Sequence, residues 1–173
     1  MKKLVLILLC VSMVLSLTAC GFSKRIVEAA ENKAETVKTF RCDDLSIELT
    51  NDFMTMNFID DTYNFIWGSG DVTVMGLYSE FEDDILQDMD AFEYAQAFRD
   101  NLSESDPSEV TLLDTIPTIE HTTIDEKGEK MIYLLAFYKA EHGIWLVTFG
   151  AEEDDYSEHY SDICKYAKTV KCN

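Results

Sequence analysis

The chain has 173 residues and a mass of 19.8 kDa, which is room for one globular domain rather than two. Lys and Arg number 14 against 33 Asp and Glu, so the formal net charge at pH 7 is −19. This balance argues against a nucleic-acid-binding protein, because phosphate contacts need clustered Lys and Arg, and against electrostatic docking on anionic lipid. The hydrophobic fraction of 47% is too high for a disordered acidic tail, so we expect a packed domain.

The first 19 residues have the pattern of a secretory leader. Two lysines give a positive start, and an apolar run of 14 residues follows over 4–17. A membrane-spanning helix needs about 20 apolar residues, so a permanent span is the weaker interpretation. The segment Leu17-Thr18-Ala19-Cys20 resembles the lipobox of bacterial lipoproteins, which implies cleavage before Cys20 and a diacylglyceryl thioether on its sulfur. Because two acyl chains suffice for stable anchoring, we expect a lipid-anchored protein on the extracytoplasmic face of a bacterial cell membrane.

Residues 20–39 are expected to join this anchor to a domain that spans residues 40–173. The stretch after Phe22 is polar, rich in Ala, Glu and Lys, and without aromatic residues until Phe40. Such a composition suits either a flexible spacer, which would reach about 25 Å as a random coil, or a marginal helix.

The first part of the domain predicts strands. They are residues 40–49, where Leu45, Ile47 and Leu49 alternate with polar residues, then 63–67 and its hairpin partner 71–78. The turn signal Gly68-Ser69-Gly70-Asp71 separates the last two strands. In the hairpin partner, Val72 and Val74 are expected on one face, and Thr73 and Met75 on the other.

A helix is predicted next, after an acidic loop. Asp90 is a favourable N-cap residue, and Glu93 follows at the spacing of a capping box. Apolar residues then recur at helical spacing and form one stripe of Ala91, Tyr94, Ala95, Phe98 and Leu102. The segment 103–108, which contains Pro107, is expected to end the helix.

The second half of the domain predicts a meander of strands and a final helix. The strands are 110–113, 118–124, 130–140 and 144–151, with turns at 126–128 and 141–143. In the last two strands both alternating sets are apolar, so these strands need cover on both faces. Asp155, with Glu158 three positions on, is predicted to cap the last helix. The apolar stripe of that helix comprises Tyr156, Tyr160, Ile163, Ala167 and Val170.

Within this predicted order of elements, three segments are rich in residues that would pack in a core. They are FRCDDLSIELT at 40–50, GIWLVTF at 143–149 and an aromatic-rich helix at 156–168. Together they resemble the small α/β/α sandwich of the photosystem extrinsic protein PsbP and its Ran-binding relatives. They are more closely similar to small extracytoplasmic lipoproteins of Gram-positive bacteria built on that fold. The resemblance covers about residues 40–172 and implies an α+β fold, with an antiparallel sheet covered by helices on both faces. Because these are packing motifs, they imply no activity.

Three of the five cysteines remain for the domain once Cys10 in the leader and Cys20 at the anchor are set aside. An extracytoplasmic location permits disulfides. Cys164 and Cys172 are eight residues apart, which is about 12 Å along a helix and more than a disulfide spans. In the fold that the chain resembles, Cys42 on the first strand and Cys172 in the tail can be neighbours. One hypothesis is therefore a Cys42–Cys172 disulfide with Cys164 as a buried thiol, and the other is three free thiols.

The histidines and acidic clusters lack the spacing of a metal site. His121, His142 and His159 form neither His-x-His nor His-Glu-x-x-His, so we expect each on the solvated surface and no metal ligand among them. Calcium prefers carboxylates, but residues 84–93 lack the central Gly and the odd-position spacing of an EF-hand loop. We therefore interpret the acidic clusters as solvated faces; they are 43–44, 60–61, 80–84, 88–90 and 152–155.

The sequence contains no catalytic or cofactor motif. There is no Gly-x-Ser-x-Gly, phosphate loop or dinucleotide fingerprint, and Gly68-Ser69-Gly70 is too short for the first of these. We therefore expect no cofactor and a non-catalytic, lipid-anchored module that binds an unknown protein or small ligand through a sheet edge or a cleft. The alternatives are an enzyme with an unrecognised acidic site and a divalent-cation binder.

Overall fold

A computed structural model describes residues 36–56, 62–81, 87–102, 107–125 and 127–172. The predicted leader, Cys20 and most of the predicted tether lie outside these ranges, as do the acidic residues at 60–61 and 82–84. The strands are β1 (Val37–Cys42), β2 (Leu45–Thr50), β3 (Met54–Thr55), β4 (Phe65–Gly68), β5 (Thr73–Glu80), β6 (Thr111–Leu113), β7 (Ile116–Ile124), β8 (Lys130–Lys139), β9 (Gly143–Glu152) and β10 (Lys171–Cys172). The helices are α1 (Ala91–Asn101) and α2 (Glu153–Thr169), and neither is long and apolar enough to cross a membrane.

The described strands form two antiparallel sheets. The large sheet has seven strands in the order β3-β4-β5-β9-β8-β7-β6, and the small sheet has three in the order β1-β2-β10. The predicted hairpin of β4 and β5 is confirmed, with Trp67 opposite Val74. β9 lies at the centre of the large sheet between β5 and β8, and every residue from Gly143 to Ala151 is buried. The prediction that β9 needs cover on both faces is therefore confirmed.

Two apolar cores lie on opposite faces of the large sheet. Leu135 of β8 belongs to one core together with Phe98 of α1. Its neighbour Leu134 belongs to the other core together with Ile163 of α2 and Ile47 of β2. The predicted α+β fold with an antiparallel sheet and two helices is therefore confirmed, and the two helices contribute to different cores. The small sheet is an addition to that prediction, because it shares one face of the large sheet with α2.

The first predicted strand is in fact two strands. Residues 40–49 are divided between β1 and β2, which pair in antiparallel fashion across a turn at Asp43 and Asp44. Asp43 has a φ of 47°, in the left-handed region that Asp enters more readily than most non-glycine residues. The chain therefore reverses within a segment that we predicted to be continuous. The predicted alternation within β2 is confirmed, since Leu45, Ile47 and Leu49 are all buried in the core.

The two helices begin in different ways. At α1 the predicted capping box is confirmed, because Asp90 Oδ1 accepts from the Glu93 amide at 2.8 Å and Glu93 Oε2 accepts from the Asp90 amide at 3.1 Å. The predicted cap of α2 is wrong. β9 runs directly into α2, so Glu152 occupies the N-cap position without a side-chain hydrogen bond, and Asp155 lies in the first turn. Carboxylates in that turn face the partial positive charge of the helix N-terminus.

Candidate functional site

Carboxylates crowd around the first turns of α2. Asp154 and Glu158 are exposed and Asp155 is half-buried. The turn between β4 and β5 brings Asp71 to the same place, 84 positions earlier in the chain than Asp155. Ser69 holds that turn, since its Oγ accepts from the Val72 amide at 3.1 Å. We call the four carboxylates of Asp71, Asp154, Asp155 and Glu158 the acidic end of α2.

The charged groups of the acidic end act on one another electrostatically. Burial raises the pKa of Asp155, and the carboxylates of Asp71, Glu158 and Asp154 raise it further. His159 is the one group that lowers it, and His159 Nε2 lies 3.5 Å from Asp71 Oδ2. The acidic end therefore holds like charges that repel one another near neutral pH, and a cation placed there would relieve the repulsion.

A second group of polar side chains continues along α2. Tyr156 donates its hydroxyl hydrogen to Glu120 Oε2 of β7 at 3.1 Å, and burial raises the pKa of Tyr156, so its phenol stays protonated. The ring of Tyr160 lies 5.7 Å from that of Tyr156 and is 45% exposed. A hydrogen bond with Cys164 raises the pKa of Tyr160. We call Glu120, Tyr156, Tyr160 and Cys164 the flank of α2.

Three described lysines along α2 have carboxylate partners. Lys130 contacts Glu153, Lys165 lies 2.7 Å from Asp162, and Lys168 lies 3.0 Å from Asp114. These pairs are exposed, so each contributes little to stability. They neutralise Glu153, Asp162 and Asp114 and do not involve the four carboxylates of the acidic end.

The chemistry available on this surface is that of a binding face. Exposed carboxylates with a neighbouring tyrosine suit cationic groups such as Lys and Arg side chains. In the part of the chain that the structure describes, no group of three or more His, Cys, Asp or Glu could hold a metal ion. Cys164 has Tyr160, whose pKa is raised, as its neighbour rather than a base that would activate it.

The structure places Cys42 and Cys172 on either side of one residue. Cys42 is opposite Leu45 on β1, and Cys172 is opposite Leu45 on β10. Two strand spacings, about 9.6 Å, separate their backbones, which is more than a disulfide spans. Both thiols and that of Cys164 are free in the structure, and all three are half-buried, so the hypothesised Cys42–Cys172 bond is absent from this arrangement. The topology that we expected is present, but β2 lies between the two cysteines.

The environments of Cys42 and Cys172 favour the neutral thiol. Burial raises the pKa of Cys172 to about 11, with a further contribution from Asp44. Burial and the adjacent Asp43 raise the pKa of Cys42. Because the thiolate is the nucleophilic form of cysteine, neither side chain is activated for chemistry at neutral pH.

Other predicted acidic clusters have structural roles where the structure describes them. Asp44 Oδ1 accepts from the indole nitrogen of Trp145 at 2.8 Å, and Asp43 shapes the turn between β1 and β2. Asp90 caps α1. The side chain of Asp125 accepts from the amides of Lys127 and Glu129 and orders the turn between β7 and β8.

Two of the three histidines lie where we predicted and one does not. His142 is exposed, with its side chain 3.7 Å from Glu141, and His159 is half-buried in the helix beside Asp71. His121 is only 1% exposed, so its predicted place on the solvated surface is wrong. It lies opposite Tyr133 of β8 and therefore on the α1 face of the sheet, inside the core.

His121 predicts a pH dependence of stability. Neither ring nitrogen has a hydrogen-bond partner among the described residues, and burial lowers the pKa of the imidazole. The unfolded chain therefore binds a proton more readily than the folded one below about pH 6.5, so stability is lost as the pH falls through that value. The measurement is the free energy of unfolding in urea as the pH is lowered from about 7.5 to about 5.5. Over this range we expect it to decrease by on the order of 1 kcal/mol more for the wild type than for His121→Leu.

His142→Gln is the matched control for this measurement, because His142 is exposed. Its unfolding free energy should follow the wild type at every pH. An identical pH dependence for wild type and His121→Leu would show that His121 does not titrate differently in the folded and unfolded states.

Comparison with known proteins identifies the fold of the chain. No protein-family model and no curated protein sequence matches the chain. The solution structure of the cyanobacterial PsbP, CyanoP, from Synechocystis sp. PCC 6803 matches 90% of this chain and 98% of its own, with 13% identity and a TM-score of 0.50. The Saccharomyces cerevisiae Ran-binding protein Mog1p matches 80% of this chain and 96% of its own, with 8% identity and a TM-score of 0.52.

A crystal structure from Bacteroides thetaiotaomicron VPI-5482 has the same fold within a larger chain. The match covers 75% of this chain and 45% of the other, with 10% identity and a TM-score of 0.51. At such low identities the likeness concerns the fold alone. The predicted PsbP-like fold is therefore confirmed, with an antiparallel sheet and two helices.

Proposed function

We propose that this chain is a lipid-anchored protein of the extracytoplasmic face of a bacterial membrane, and that its domain binds a basic partner protein without catalysing a reaction. The observation that carries the proposal is the acidic end of α2, where four carboxylates lie together and Lys130 is already paired with Glu153 of the same first turn. A partner surface with clustered Lys and Arg would relieve this repulsion and supply the specificity of a charged interface.

Sequence features support the anchor. The positive start, the short apolar run and the segment Leu17-Thr18-Ala19-Cys20 together match a lipoprotein leader. Val37, where β1 begins, follows Cys20 by 17 positions, so the domain stays close to the membrane that holds the anchor. Two acyl chains on Cys20 would hold the protein at the bilayer without a membrane-spanning helix.

The absence of catalysis is supported by the environments of the side chains that could act as nucleophiles. Cys42, Cys172 and Tyr156 are all held in their protonated forms, because burial raises the pKa of each. Among solved proteins of this fold, Mog1p is a Ran-binding protein, which is consistent with a binding role for this chain.

Replacement of Cys20 tests the anchor. We expect Cys20→Ser to move the protein from the membrane fraction to the soluble fraction, and mass spectrometry of the wild-type N-terminal peptide to show the diacylglyceryl group. Cys10→Ser is the matched control, because Cys10 lies within the apolar run. This variant should remain in the membrane fraction. Retention of Cys20→Ser at the membrane would contradict the proposed anchor.

Charge reversal on α2 tests the binding surface. A lysine octapeptide is a suitable probe of the full-length protein in detergent micelles. Asp154→Lys/Glu158→Lys should weaken its binding about ten-fold, because two exposed attractions become repulsions. Asp52→Lys/Asp88→Lys makes the same change of net charge at exposed residues elsewhere and should have a smaller effect. Equal losses for both variants would mean that net charge, and not the acidic end, binds the probe.

A further inference from the structure

The unpaired basic residues of the described chain are concentrated on the small sheet. Arg99, Lys130, Lys165 and Lys168 form ion pairs with carboxylates, and Lys139 donates to the carbonyls of Gln87 and Met89. The remaining four described Lys and Arg residues form no ion pair with another described residue: Lys38, Arg41, Lys127 and Lys171. Three of these four belong to β1 or β10, although those two strands contain only eight of the described residues.

Register places two of the charges in one row. Arg41 of β1 and Lys171 of β10 both lie directly opposite Ser46 of β2. Residues that face each other across antiparallel strands share a face of the sheet, so all three side chains lie on the same face. The neighbouring positions Phe40 and Ile47 fill the core, which makes the row of Arg41 the outward face. Both Arg41 and Lys171 are exposed.

Lys38 adds a third charge at the edge strand β1, on the face of Phe40 and therefore opposite to the face of Arg41. The ammonium group of Lys38 lies 4.9 Å from the centre of the Phe40 ring and is exposed to solvent. One carboxylate, Glu48, lies on the outward face two positions along β2, and Asp43 lies in the adjoining turn. Asp44 in the same turn is engaged by the indole of Trp145. The small sheet is therefore much less acidic than the rest of the domain.

The two charge distributions lie at opposite ends of α2. The acidic end surrounds its first turns, whereas β10 of the small sheet follows its last residue almost directly. A helix of 17 residues is about 25 Å long, so the ends are separated by more than twice the Debye length at physiological ionic strength. The domain thus has an electrical polarity in addition to its net negative charge.

From this polarity we infer that the end of the domain formed by the small sheet, where Lys38, Arg41 and Lys171 are exposed, rests on the anionic lipid headgroups of the membrane that holds Cys20. This inference rests on the proposed lipid anchor. Near an anionic surface the basic row is attracted and the acidic end is repelled, so both effects favour the same orientation. The lipid anchor holds the protein at the membrane, although the net negative charge of the domain alone would oppose this. In the inferred orientation, the acidic end of α2 points away from the bilayer toward a partner.

Acylation of lysines by an amine-reactive reagent, followed by mass spectrometry, tests the orientation. The full-length lipidated protein is reconstituted in vesicles of phosphatidylcholine, with or without phosphatidylglycerol. On the anionic vesicles we expect Lys171 and Lys38 to react roughly five-fold more slowly, which corresponds to the attraction of about one basic residue to such a surface. Lys127, in the turn between β7 and β8, should react at the same rate on both. At about 1 M salt, where the Debye length is about 3 Å, the difference should disappear.

Two matched variants complete the test. With Arg41→Glu, Lys171 should react equally fast on the anionic and the neutral vesicles. Lys127→Glu makes the same charge change at the other end of the domain. With this variant, Lys171 should still react more slowly on the anionic vesicles. Equal rates for Lys171 on the two kinds of vesicle, or equal effects of the two variants, would overturn the orientation. Loss of the wild-type protein from the vesicles would instead overturn the anchor on which the orientation rests, so the two failures are distinguishable.

Discussion

Replacement of Trp145 by Ala is expected to destabilise the domain by about 3–5 kcal/mol, the range for removal of a buried tryptophan. Trp145 is fully buried in β9, with its ring 5.0 Å from that of Tyr78 and 5.9 Å from that of Phe65. Its indole nitrogen also donates to Asp44, which ties the turn of the small sheet to the large sheet. Since domains of this size are stable by only about 5–15 kcal/mol, the loss should be evident in urea unfolding.

Two further variants separate the causes of this loss. Trp145→Phe keeps most of the apolar volume and removes the hydrogen bond. It should therefore lower the free energy of unfolding by less than Trp145→Ala does. Tyr160→Ala removes an aromatic ring that is 45% exposed and should cost well below 2 kcal/mol. A cost below about 1 kcal/mol for Trp145→Ala would contradict the placement of this ring at the junction of the two sheets.

A single added methyl group at Gly143 is expected to destabilise the domain by about 1–3 kcal/mol. A Cβ atom there would lie 2.5 Å from the carbonyl oxygen of Ser79 and 2.5 Å from the ring of Tyr78. The first of these contacts is with the backbone of the neighbouring strand, so rotation of a side chain cannot relieve it. Gly143→Ala should therefore lower the midpoint of urea unfolding by separating the start of β9 from the end of β5.

Gly70→Ala is the matched control for this substitution. A Cβ atom at Gly70 would meet nothing within 4 Å, and the residue has no left-handed backbone that would disfavour alanine. Its effect should stay within about 0.5 kcal/mol, as for ordinary surface positions. Equal effects of the two alanines would mean that β5 and β9 do not approach each other as the register of Gly143 and Glu80 requires.

Elements with a strong local pattern could be predicted from the sequence. The apolar residues of β8 and β9 fill both alternating sets, and the helix after Asp90 carries its own start signal, so both depend on nearby residues alone. The short strands β3 and β10 have two residues each and are defined by their partners. No local pattern marks such strands, because backbone pairing with a distant strand creates them.

The turn at Asp43 illustrates how a local pattern can mislead. Asp43 and Asp44 continue the polar positions before Leu45, and an Asp-Asp pair is a weaker hairpin signal than Asn-Gly or Asp-Gly. The reversal is fixed by pairing of β1 with β2 and by the contact between Asp44 and Trp145, which lies 101 positions away. Similarly, the polar neighbours Glu120 and Thr122 conceal the burial of His121, which follows from its cross-strand partner Tyr133.

The candidate site could be predicted only in part. The cluster 152–155 is evident in the sequence, but its interpretation as a solvated face omitted Asp71, which the turn between β4 and β5 brings to Asp155. The flank likewise joins Glu120 of β7 to Tyr156 of α2 across 36 positions. Such juxtapositions depend on the packing of α2 against the sheet, and no spacing within one segment encodes them.

Chemical crosslinking in intact cells, followed by affinity capture of the full-length protein, tests the central claim most directly. We expect the wild type and Asp52→Lys/Asp88→Lys to capture the same protein, and that protein to present a basic surface. Asp154→Lys/Glu158→Lys should lose it while remaining folded and in the membrane fraction. Capture of the same protein in equal yield by both variants would contradict the claim that the acidic end of α2 is the binding surface.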